Sequence, residues 1–559
     1  MSEDLEVIER GAQRVIDVVQ AQGVPYIFGI PGAKIDAVFD ALADGGPELV
    51  VCRHEQNAAF IAAAYGRMTG TPGVVLVTSG PGTSNLATGL LTANTEQDPI
   101  VALCGAVRLP DRLKRTHQSM EAPALLATVT KHVAEVVDPV NVSEAVANAF
   151  RVAATEPRGA TAVVLAADVM AAPSPGPITM VATPGQLGAA PADEIERARQ
   201  LIQKAARPVV LVGLRGADPA SAEAVRELIA ATGLPVVETF QAAGVVSREL
   251  EDHYLGRVGL FRNQPADVLV ARADVLLTIG YDPVEYDPGL WNFDATRPVI
   301  HLDSLPAELD VDYQPALELR GGVAPTVRAL SAALTGLELH DDFGHELAAL
   351  RQALRQIDDD ESTWSGEGDR VNPAALVLKI RELLDDSATI ACDIGSVYIY
   401  MARHFRVYDP RHLLFSNGQQ TLGVALPWAM AACLARPGTP VVSISGDGGF
   451  LFSAQELETA TRLGLSFTHV IFRDDTYDMV GFQELLKYGR KSGVQLADYD
   501  VVAYAKAFGA TGYRVQSEEE FAEVFARSFT EPGPTIIDVR VDYSNNVRLA
   551  DVLAEDAFE

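Results

Sequence analysis

Short stretches rich in Val, Ile and Leu alternate along the chain with longer segments in which apolar residues recur at helical spacing. The stretches at residues 74–77, 209–212 and 441–444 are examples, and each leads into a turn that contains glycine. Continuous apolar stretches of this length are typical of strands buried on both faces. Alternation of such strands with helices predicts the α/β fold class, with doubly wound parallel sheets.

Two breaks in this alternation predict three domains. Residues 172–191 are rich in proline and glycine, which is typical of a surface linker. Residues 336–372 are highly charged and contain one helical segment near residues 346–355. The predicted α/β domains cover residues 1–185, 190–335 and 370–545.

The first and third predicted domains share a sequence pattern. In the first, the residues at 53–57 open an Ala-rich helix, and a later strand leads into the turn at 79–82. In the third, the residues at 417–421 open an apolar helix, and a strand leads into the turn at 445–448. Two unrelated strand–helix–strand units could resemble each other by chance, but the shared register favours duplication. Pro81 then takes the position of Asp447.

Composition and charge narrow the possible functions. The chain has 559 residues, enough for three or four domains, with 48% hydrophobic and 21% charged residues. Its net charge of −31 argues against binding to nucleic acid or to an anionic membrane. No apolar segment reaches the roughly 18–20 residues of a membrane span, and the acidic residues at 1–4 are unlike a signal peptide. The four separated cysteines predict buried, reduced thiols in a cytoplasmic protein.

Two aspartates follow neighbouring predicted strands. Asp447 lies within a glycine-rich turn at 445–449, and Asp474 follows the next strand. Glycines allow phosphate oxygens to approach the backbone, and a following helix offers unpaired N–H groups. Carboxylates are hard oxygen ligands of the kind that Mg²⁺ prefers. An ordinary Asx turn is the alternative interpretation, but the pair predicts a magnesium ion that is held against a diphosphate.

Motifs along nearly the whole chain resemble those of thiamine-diphosphate-dependent enzymes, most closely the catabolic, FAD-independent acetolactate synthases. These motifs are the residues at 28–36, 53–55, 78–82, 117–120, 256–261, 416–421, 446–451, 477–480 and 487–488. The resemblance implies that the first domain binds the cofactor's aminopyrimidine and the third binds its diphosphate. The two domains of one site come from different subunits, so a homodimer is required, and a homotetramer is expected. The middle domain is implied to be a spacer.

The resemblance also implies roles for residues of the first domain. Glu55 corresponds to the glutamate that hydrogen-bonds a pyrimidine ring nitrogen, which leads to loss of the thiazolium proton and works best when buried. Lys34, His117 and Gln118 correspond to substrate-facing positions, and Lys34 is also a catalytic candidate. Pro81 lies in the turn that contacts the cofactor. The alternatives are a capping or ion-paired glutamate at 55 and a surface lysine at 34.

In the third domain the resemblance implies contacts to cofactor, metal and substrate. Asp447, Asp474 and the backbone carbonyl of Thr476 are the expected Mg²⁺ ligands. Leu422 is expected to press between the two cofactor rings, with core packing as the alternative. The expected cofactor contacts of this domain are Ser396, Gln420, Leu422, Gly446, Asp447, Gly448, Gly449, Tyr477, Asp478 and Met479. Val480 and Gln483 are expected to face the substrate, and Gln483 is a second catalytic candidate.

The chain departs from these relatives at the diphosphate. Many of them have Asn at positions 474 and 478 and Gly at 476, where this chain has Asp474, Asp478 and Thr476. A carboxylate at 478 is expected to repel a diphosphate unless it faces away or is protonated. A threonine at 476 is expected to be unfavourable if that position requires a positive φ.

The implied reaction is decarboxylation of one pyruvate and transfer of its two-carbon unit to a second pyruvate, which gives 2-acetolactate and CO₂. FAD is not expected, because G-x-G-x-x-G is missing near residues 213–216. In the relatives that bind FAD, the middle domain carries a run like Arg-Phe-Asp-Asp-Arg, and residues 281–286 of this chain differ from it. A simple 2-oxoacid decarboxylase, or a carboligase with another acceptor, remains an alternative. A catalytically silent scaffold subunit with the same fold is the alternative from a different class.

Overall fold

The structure is a computed structural model that describes residues 9–180, 185–259, 264–292, 296–364 and 370–549. Leu260 and Phe261, which belong to one of the family motifs, and the acidic residues at 1–4 lie outside the described residues. Within the described residues the named strands form three sheets of six strands, and every strand pair in them is parallel. The predicted α/β class with doubly wound parallel sheets is therefore confirmed.

The first sheet lies within residues 26–166. Its strands are β1 (Tyr26–Ile30), β2 (Glu48–Val51), β3 (Gly73–Val77), β4 (Ile100–Ala106), β5 (His132–Val136) and β6 (Ala160–Ala166). Their order is β2-β1-β3-β4-β6-β5. The accompanying helices are α1 (Gly11–Ala21), α2 (Asp36–Ala43), α3 (Glu55–Thr69), α4 (Pro81–Asn85), α5 (Ala87–Thr95), α6 (Ala122–Leu126), α7 (Val142–Ala154) and α8 (Ala167–Ala171).

The second sheet lies within residues 208–320. Its strands are β7 (Pro208–Val212), β8 (Val236–Thr239), β9 (Tyr254–Val258), β10 (Val275–Ile279), β11 (Val299–Asp303) and β12 (Leu317–Arg320). Its helices are α9 (Ala192–Lys204), α10 (Pro219–Thr232), α11 (Pro265–Arg272), α12 (Pro288–Trp291) and α13 (Val323–Ala333), and α14 (Asp341–Ser362) follows. The strands are arranged in the order β9-β8-β7-β10-β11-β12. The chain therefore adds strands first on one side of β7 and then on the other side, starting with β10, as in dinucleotide-binding folds.

The third sheet lies within residues 389–540. Its strands are β13 (Thr389–Cys392), β14 (Leu413–Leu414), β15 (Val441–Gly446), β16 (Thr468–Arg473), β17 (Thr511–Val515) and β18 (Thr535–Arg540). Its helices are α15 (Pro373–Leu383), α16 (Ser396–His404), α17 (Ala425–Ala435), α18 (Asp447–Ser453), α19 (Leu457–Arg462), α20 (Asp478–Tyr488), α21 (Val501–Ala507) and α22 (Glu518–Ser528). The order β14-β13-β15-β16-β18-β17 repeats that of the first sheet, which supports the predicted duplication.

Contacts along the chain define two compact units. Unit 1 consists of Met1–Gly185, Leu426–Gly438 and Ser453–Leu465, and unit 2 of Gln186–Ala425, Thr439–Phe452 and Ser466–Glu559. The boundary at Gly185 lies within the predicted linker. Three domains were predicted from the sequence, whereas the contacts give two units and assign most of α17 and all of α19 to unit 1.

Each sheet is covered by apolar side chains on both faces. In the central sheet, Val210 and Leu277 belong to one buried cluster, and Val209 and Leu276 belong to another. Successive residues of a strand point to opposite faces, so one apolar stretch supplies both clusters. Burial of one such side chain stabilises the fold by about 1.5–3 kcal/mol. In the part of the chain that the structure describes, no helix combines the length and hydropathy needed to cross a membrane.

Candidate functional site

Unit 2 contains a cavity of about 480 Å³ at the carboxyl ends of β13, β15 and β16. In doubly wound sheets ligands bind at this edge. Every site residue that the sequence predicted from the third domain lines the cavity. These residues are Ser396, Gln420, Leu422, Gly446, Asp447, Gly448, Gly449, Asp474, Thr476, Tyr477, Asp478, Met479, Val480 and Gln483. The structure thus brings all fourteen residues to one place.

The backbone at the cavity suits an anionic group. Helices α16 and α20 begin at Ser396 and Asp478, which both line the cavity. The first N–H groups of a helix have no partner within the helix and attract anions. The glycines in the first turn of α18 are required by packing, since a side chain at Gly448 would meet Tyr477 at 2.4 Å and one at Gly449 would meet Asp393 at 2.7 Å.

Asp447 and Asp474 are the acidic pair of this cavity. Asp447 accepts hydrogen bonds from the backbone of Gly448 at 2.9 Å and of Asp475 at 2.7 Å. Burial raises the pKa of Asp447 to about 6. Burial also raises the pKa of Asp474 to about 7, and the nearby carboxylates of Asp447 and Asp478 add to this effect. A cation beside the pair would remove that penalty, so their environment fits a divalent metal ion.

The metal site would have few protein ligands. In the described ranges, no group of three or more His, Cys, Asp or Glu side chains is arranged to bind a metal. Two carboxylates with one backbone carbonyl, as expected for Asp447, Asp474 and Thr476, leave positions for phosphate and water, as is usual for Mg²⁺. Thr476 does not have the positive φ that would be unfavourable for a threonine, because the positive φ of 62° belongs to its neighbour Asp475. The Thr476 hydroxyl donates to Asp474.

Asp478 does not lie unpaired beside the cavity. Its Oδ2 accepts hydrogen bonds from Ser396 at 2.8 Å and from the amide of Asn546 at 2.6 Å. Its Oδ1 lies 3.4 Å from Nζ of Lys491. Tyr400 donates to Asn546 at 2.6 Å and holds that amide in place. The expected repulsion of a diphosphate is therefore reduced by three donors, one of them a cation.

The loop that carries Gln420 and Leu422 is held by a buried carboxylate. Asp393 accepts from the N–H of Gly423 at 2.9 and 3.0 Å, and burial raises the pKa of Asp393 to about 7. Gln420 has a positive φ of 47°, a strained conformation that non-glycine residues adopt mainly where tertiary structure imposes it. Leu422 is half-buried and packs against the core of the third sheet. Its side chain therefore has a fixed place at the cavity wall.

Unit 1 holds Glu55, the first residue of α3, with 9% of the residue exposed. Its Oε2 accepts a hydrogen bond from Asn85 at 3.0 Å, and a side chain at Gly82 would lie 3.5 Å from its Oε1. The neighbouring basic residues have other partners, because Arg53 pairs with Glu458 at 3.2 Å and the His54 ring caps α3 through the N–H of Gln56. The interpretation of Glu55 as a capping or ion-paired residue therefore has no support in these contacts.

The other predicted residues of the first domain lie near the carboxyl ends of β1 and β3. The backbone of Lys34 donates to the Thr78 hydroxyl at 3.3 Å, and the Lys34 side chain is half-buried. Pro81 starts α4, and Gln118, with a positive φ of 61°, packs against Gly80. His117 is exposed next to Gln118.

The central sheet has a crevice between β7 and β10 that is filled by its own chain. Glu285 accepts from the N–H of Leu214 at 2.9 and 3.1 Å, from the Thr239 hydroxyl at 2.7 Å and from the N–H of Asp282 at 3.1 Å. A side chain at Gly213 would lie 2.6 Å from the Glu285 carboxylate. The backbone donor after β7, which binds phosphate in dinucleotide-binding folds, is thus used by a carboxylate.

Several residues of the site were not predicted from the sequence. Asn85, Asp393, Lys491, Asn546 and Tyr543 lie in the second layer of contacts or complete the cavity wall. Asp393 alone had a sequence signal, because it follows a predicted strand in the run Asp393-Ile394-Gly395. The others occur in segments without a distinctive pattern, and their contacts depend on the tertiary fold.

Three family models match the chain in succession. The model described as thiamine pyrophosphate enzyme, N-terminal TPP binding domain, matches residues 9–125. The central-domain model of the same enzymes matches residues 195–330, and the C-terminal TPP binding domain matches residues 393–539. The cavity in unit 2 lies in the last of these regions, and Glu55 lies in the first.

Curated relatives match over almost the full length. An acetolactate synthase of Bacillus subtilis (strain 168) is 53% identical over 97% of this chain and 95% of the relative. A catabolic acetolactate synthase of Raoultella terrigena is 41% identical over 96% of each chain. The acetolactate synthase isozyme 2 large subunit of Escherichia coli (strain K12) is 32% identical over 96% of each chain. These matches agree with the resemblance indicated by the motifs.

Proposed function

Because the chain belongs to the acetolactate synthase family of thiamine pyrophosphate enzymes, we propose that it joins two pyruvates to give 2-acetolactate and CO₂. The observation that carries this proposal is the single cavity on which all fourteen predicted residues of the third domain converge. Its acidic pair, its helix N-termini and its apolar wall match the three parts of the expected ligands: metal, diphosphate and ring system.

Thiamine diphosphate, when bound, supplies a thiazolium carbon that adds to the keto group of pyruvate and carries the two-carbon unit after CO₂ leaves. In this chain Asp447, Asp474 and the Thr476 carbonyl would hold Mg²⁺. The N–H groups at the starts of α16 and α20 would bind the diphosphate.

Glu55 is proposed to hold a proton at the pyrimidine nitrogen. Its oxygen Oε2 is fixed by Asn85, which leaves Oε1 for that contact. Burial of the carboxylate excludes water that would compete for the same hydrogen bond. Pro81, in the turn next to Gly82, would contact the same ring.

Leu422, Met479 and Val480 would form the apolar wall that keeps water from the reacting carbon. Lys34, His117, Gln118 and Gln483 are proposed to bind the carboxylate groups of the two pyruvates. Because the whole chain is strongly acidic, attraction of an anionic substrate requires such local donors. The roles of Lys34 and Gln483 include positioning the acceptor for carbon–carbon bond formation.

We further propose that the active form is at least a homodimer, with a homotetramer as the complete assembly. Support comes from exposed apolar side chains on α18 and α20, the helices that border the cavity. These are Leu451, Phe452, Val480, Leu485, Leu486 and Tyr488, each 39–64% exposed. Large exposed apolar groups around a binding site are typical of protein interfaces. The cytoplasm is the proposed location, which suits thiols that are mostly buried.

Activity without FAD is also part of the proposal. Its support is the Glu285 carboxylate, which uses the Leu214 N–H at the point where a dinucleotide phosphate would bind. A phosphate placed there would have to compete with the buried Glu285 side chain for the Leu214 N–H.

The test uses purified protein with pyruvate, thiamine diphosphate and Mg²⁺, with FAD omitted and the product identified. Acetolactate is the expected product, and removal of Mg²⁺ by a chelator is expected to abolish its formation. Acetaldehyde alone would show a simple decarboxylase, and a product that needs another 2-oxoacid would show a different acceptor. Absence of turnover in both the wild type and Glu55→Gln would point to a silent scaffold.

A further inference from the structure

Glu456 is a buried carboxylate with an unusual set of partners in unit 1. It is 0% exposed and follows α18 in the chain. Its Oε1 accepts from the backbone N–H of Arg53 at 2.9 Å and of His54 at 3.0 Å, and from the side-chain amide of Asn57 at 3.2 Å. Its Oε2 accepts from the Thr459 hydroxyl at 2.7 Å. One carboxylate thus binds residues on both sides of Glu55.

The two backbone donors are the N–H groups immediately before Glu55. His54 is the N-cap of α3, and an N–H group at a helix start has no partner within the helix, so it needs an acceptor from elsewhere. The Ser453 hydroxyl adds a hydrogen bond to Asn57 at 3.0 Å, and Arg462 donates to the carbonyl of Val51. The segment 453–462 therefore fixes the chain from residue 51 to residue 57.

A buried carboxylate is costly unless donors compensate it, and four donors do so here. Loss of the carboxylate would leave the N–H groups of Arg53 and His54 without their acceptor in a partly buried place. The start of α3 would shift to find new partners, and Glu55 would shift with it. Displacement by about 1 Å can lower a rate by about a hundredfold.

We propose that Glu456 is a positioning residue for Glu55, an inference that rests on the proposed role of Glu55 in the reaction. Glu456 itself contacts the backbone and Asn57, and it acts on the cofactor only through the placement of the Glu55 carboxylate.

The test compares full-length Glu456→Ala and Glu456→Gln with the wild type. Three quantities are measured: turnover of pyruvate, the affinity for thiamine diphosphate, and the rate at which the thiazolium proton of the bound cofactor exchanges with deuterated water. For Glu456→Ala, exchange and kcat are expected to fall together by about 10–100-fold, with KM for pyruvate nearly unchanged. Glu456→Gln is expected to recover most of both rates, because its amide oxygen can accept the same three N–H groups.

Glu238→Ala is the matched control. Glu238 is a 1% exposed glutamate of unit 2 that accepts from the backbone of Gly244 at 3.3 Å and Val246 at 2.9 Å. Its loss should lower the melting temperature while proton exchange stays at the wild-type rate. If Glu456→Ala also lowers only the melting temperature, the inference is overturned. Should Glu456→Ala not fold, Glu456→Asp replaces it, and wild-type exchange in that variant would equally overturn the inference.

The outcomes also separate this inference from the proposed function. Wild-type protein that exchanges the proton in a Glu55-dependent manner but forms no acetolactate would refute the proposed reaction and leave the role of Glu456 intact. If Glu55→Gln exchanges as fast as the wild type, the role of Glu55 fails and the inference about Glu456 fails with it.

Discussion

Asp478 and Lys491 show how a carboxylate can lie next to an anionic ligand. Three donors share the two oxygens of Asp478, and Lys491 supplies the positive charge among them. The Lys491 side chain is 43% exposed, so the ion pair alone adds little to folding stability. Its effect should appear when a second negative charge, the diphosphate, enters the cavity.

Lys491→Met is therefore expected to weaken thiamine diphosphate binding by about tenfold, or about 1.4 kcal/mol. Without the lysine, Asp478 would oppose the diphosphate with an uncompensated charge. Asp478→Asn in the same chain should restore affinity to within about threefold, because the repelling charge is gone. Titration of the metal-loaded protein with the cofactor, followed calorimetrically, measures both effects.

Lys487→Met provides the control, because Lys487 lies four residues before Lys491, at the end of α20, and its Nζ lies over the ring of Tyr488, 5.2 Å from the ring centre. Its affinity for the cofactor should match that of the wild type. If Lys491→Met binds thiamine diphosphate as tightly with Asp478→Asn as without it, Asp478 and Lys491 act independently and the prediction is wrong.

Glu55→Gln tests the proton-holding role directly. The amide keeps the size of the side chain and can still bond Asn85, but it cannot exchange a proton with the pyrimidine nitrogen. Acetolactate formation should fall by about 10²–10⁴-fold, the usual contribution of a general acid or base. The melting temperature should stay close to that of the wild type. Glu48→Gln, at an exposed position of β2, should retain full activity, and a Glu55→Gln enzyme that does the same would contradict the proposal.

At the residue scale, the sequence predicted the side chains that line the cavity but not those that hold them. Gly448 and Asp447 belong to a short motif whose spacing is visible in the chain. Asn546 and Lys491 meet Asp478 from positions 68 and 13 residues away. Such contacts arise from tertiary packing, and a single sequence contains no periodicity that reveals them.

At the scale of elements, β15 and β16 are joined by a buried histidine as well as by the backbone ladder. His469 contacts the hydroxyl of Ser443 at 2.7 Å through Nδ1 and that of Ser445 at 2.9 Å through Nε2. Burial lowers the pKa of His469 to about 3. The neutral ring therefore bridges the two strands that deliver Asp447 and Asp474 to the cavity.

This bridge predicts an acid-sensitive stability. In the unfolded chain His469 takes up a proton near its ordinary pKa of 6.5, whereas in the folded chain it stays neutral to about pH 3. The neutral His469 therefore contributes fully to the free energy of unfolding above pH 6.5. This contribution is lost as the pH falls from there, by up to about 1.4 kcal/mol per pH unit. Denaturant unfolding at several pH values between 7.5 and 4 should show a shallower decline for His469→Gln than for the wild type.

His345→Gln is the comparison for that experiment, because His345 is exposed on α14. The free energy of unfolding of this variant should change with pH in the same way as that of the wild type. If His469→Gln also coincides with the wild type, the histidine is protonated in the folded chain and the prediction is wrong.

The sequence predicted the order of the strands and helices better than it predicted how they pack together. Apolar stretches located strands such as β3, β7 and β15, and the shared turn pattern anticipated the equal strand order of the first and third sheets. The sequence did not predict that residues 426–438 and 453–465 pack within unit 1. Those segments have ordinary helical patterns, and helical periodicity indicates which face is buried but not against which neighbour.

At the scale of the whole molecule, the proposed dimer places Glu55 of one chain and Asp447 of another in the same active site. Two inactive variants should then restore each other's activity. Glu55→Gln and Asp447→Asn chains that are co-expressed form about half mixed dimers, and each mixed dimer has one site with both residues intact. Activity of about a quarter of the wild type is therefore expected from the mixture. Each variant alone should remain inactive, and so should a mixture of Glu55→Gln with a chain that carries both substitutions. If each site were built from one chain, the mixture of single variants would stay inactive too, and the shared-site proposal would be refuted.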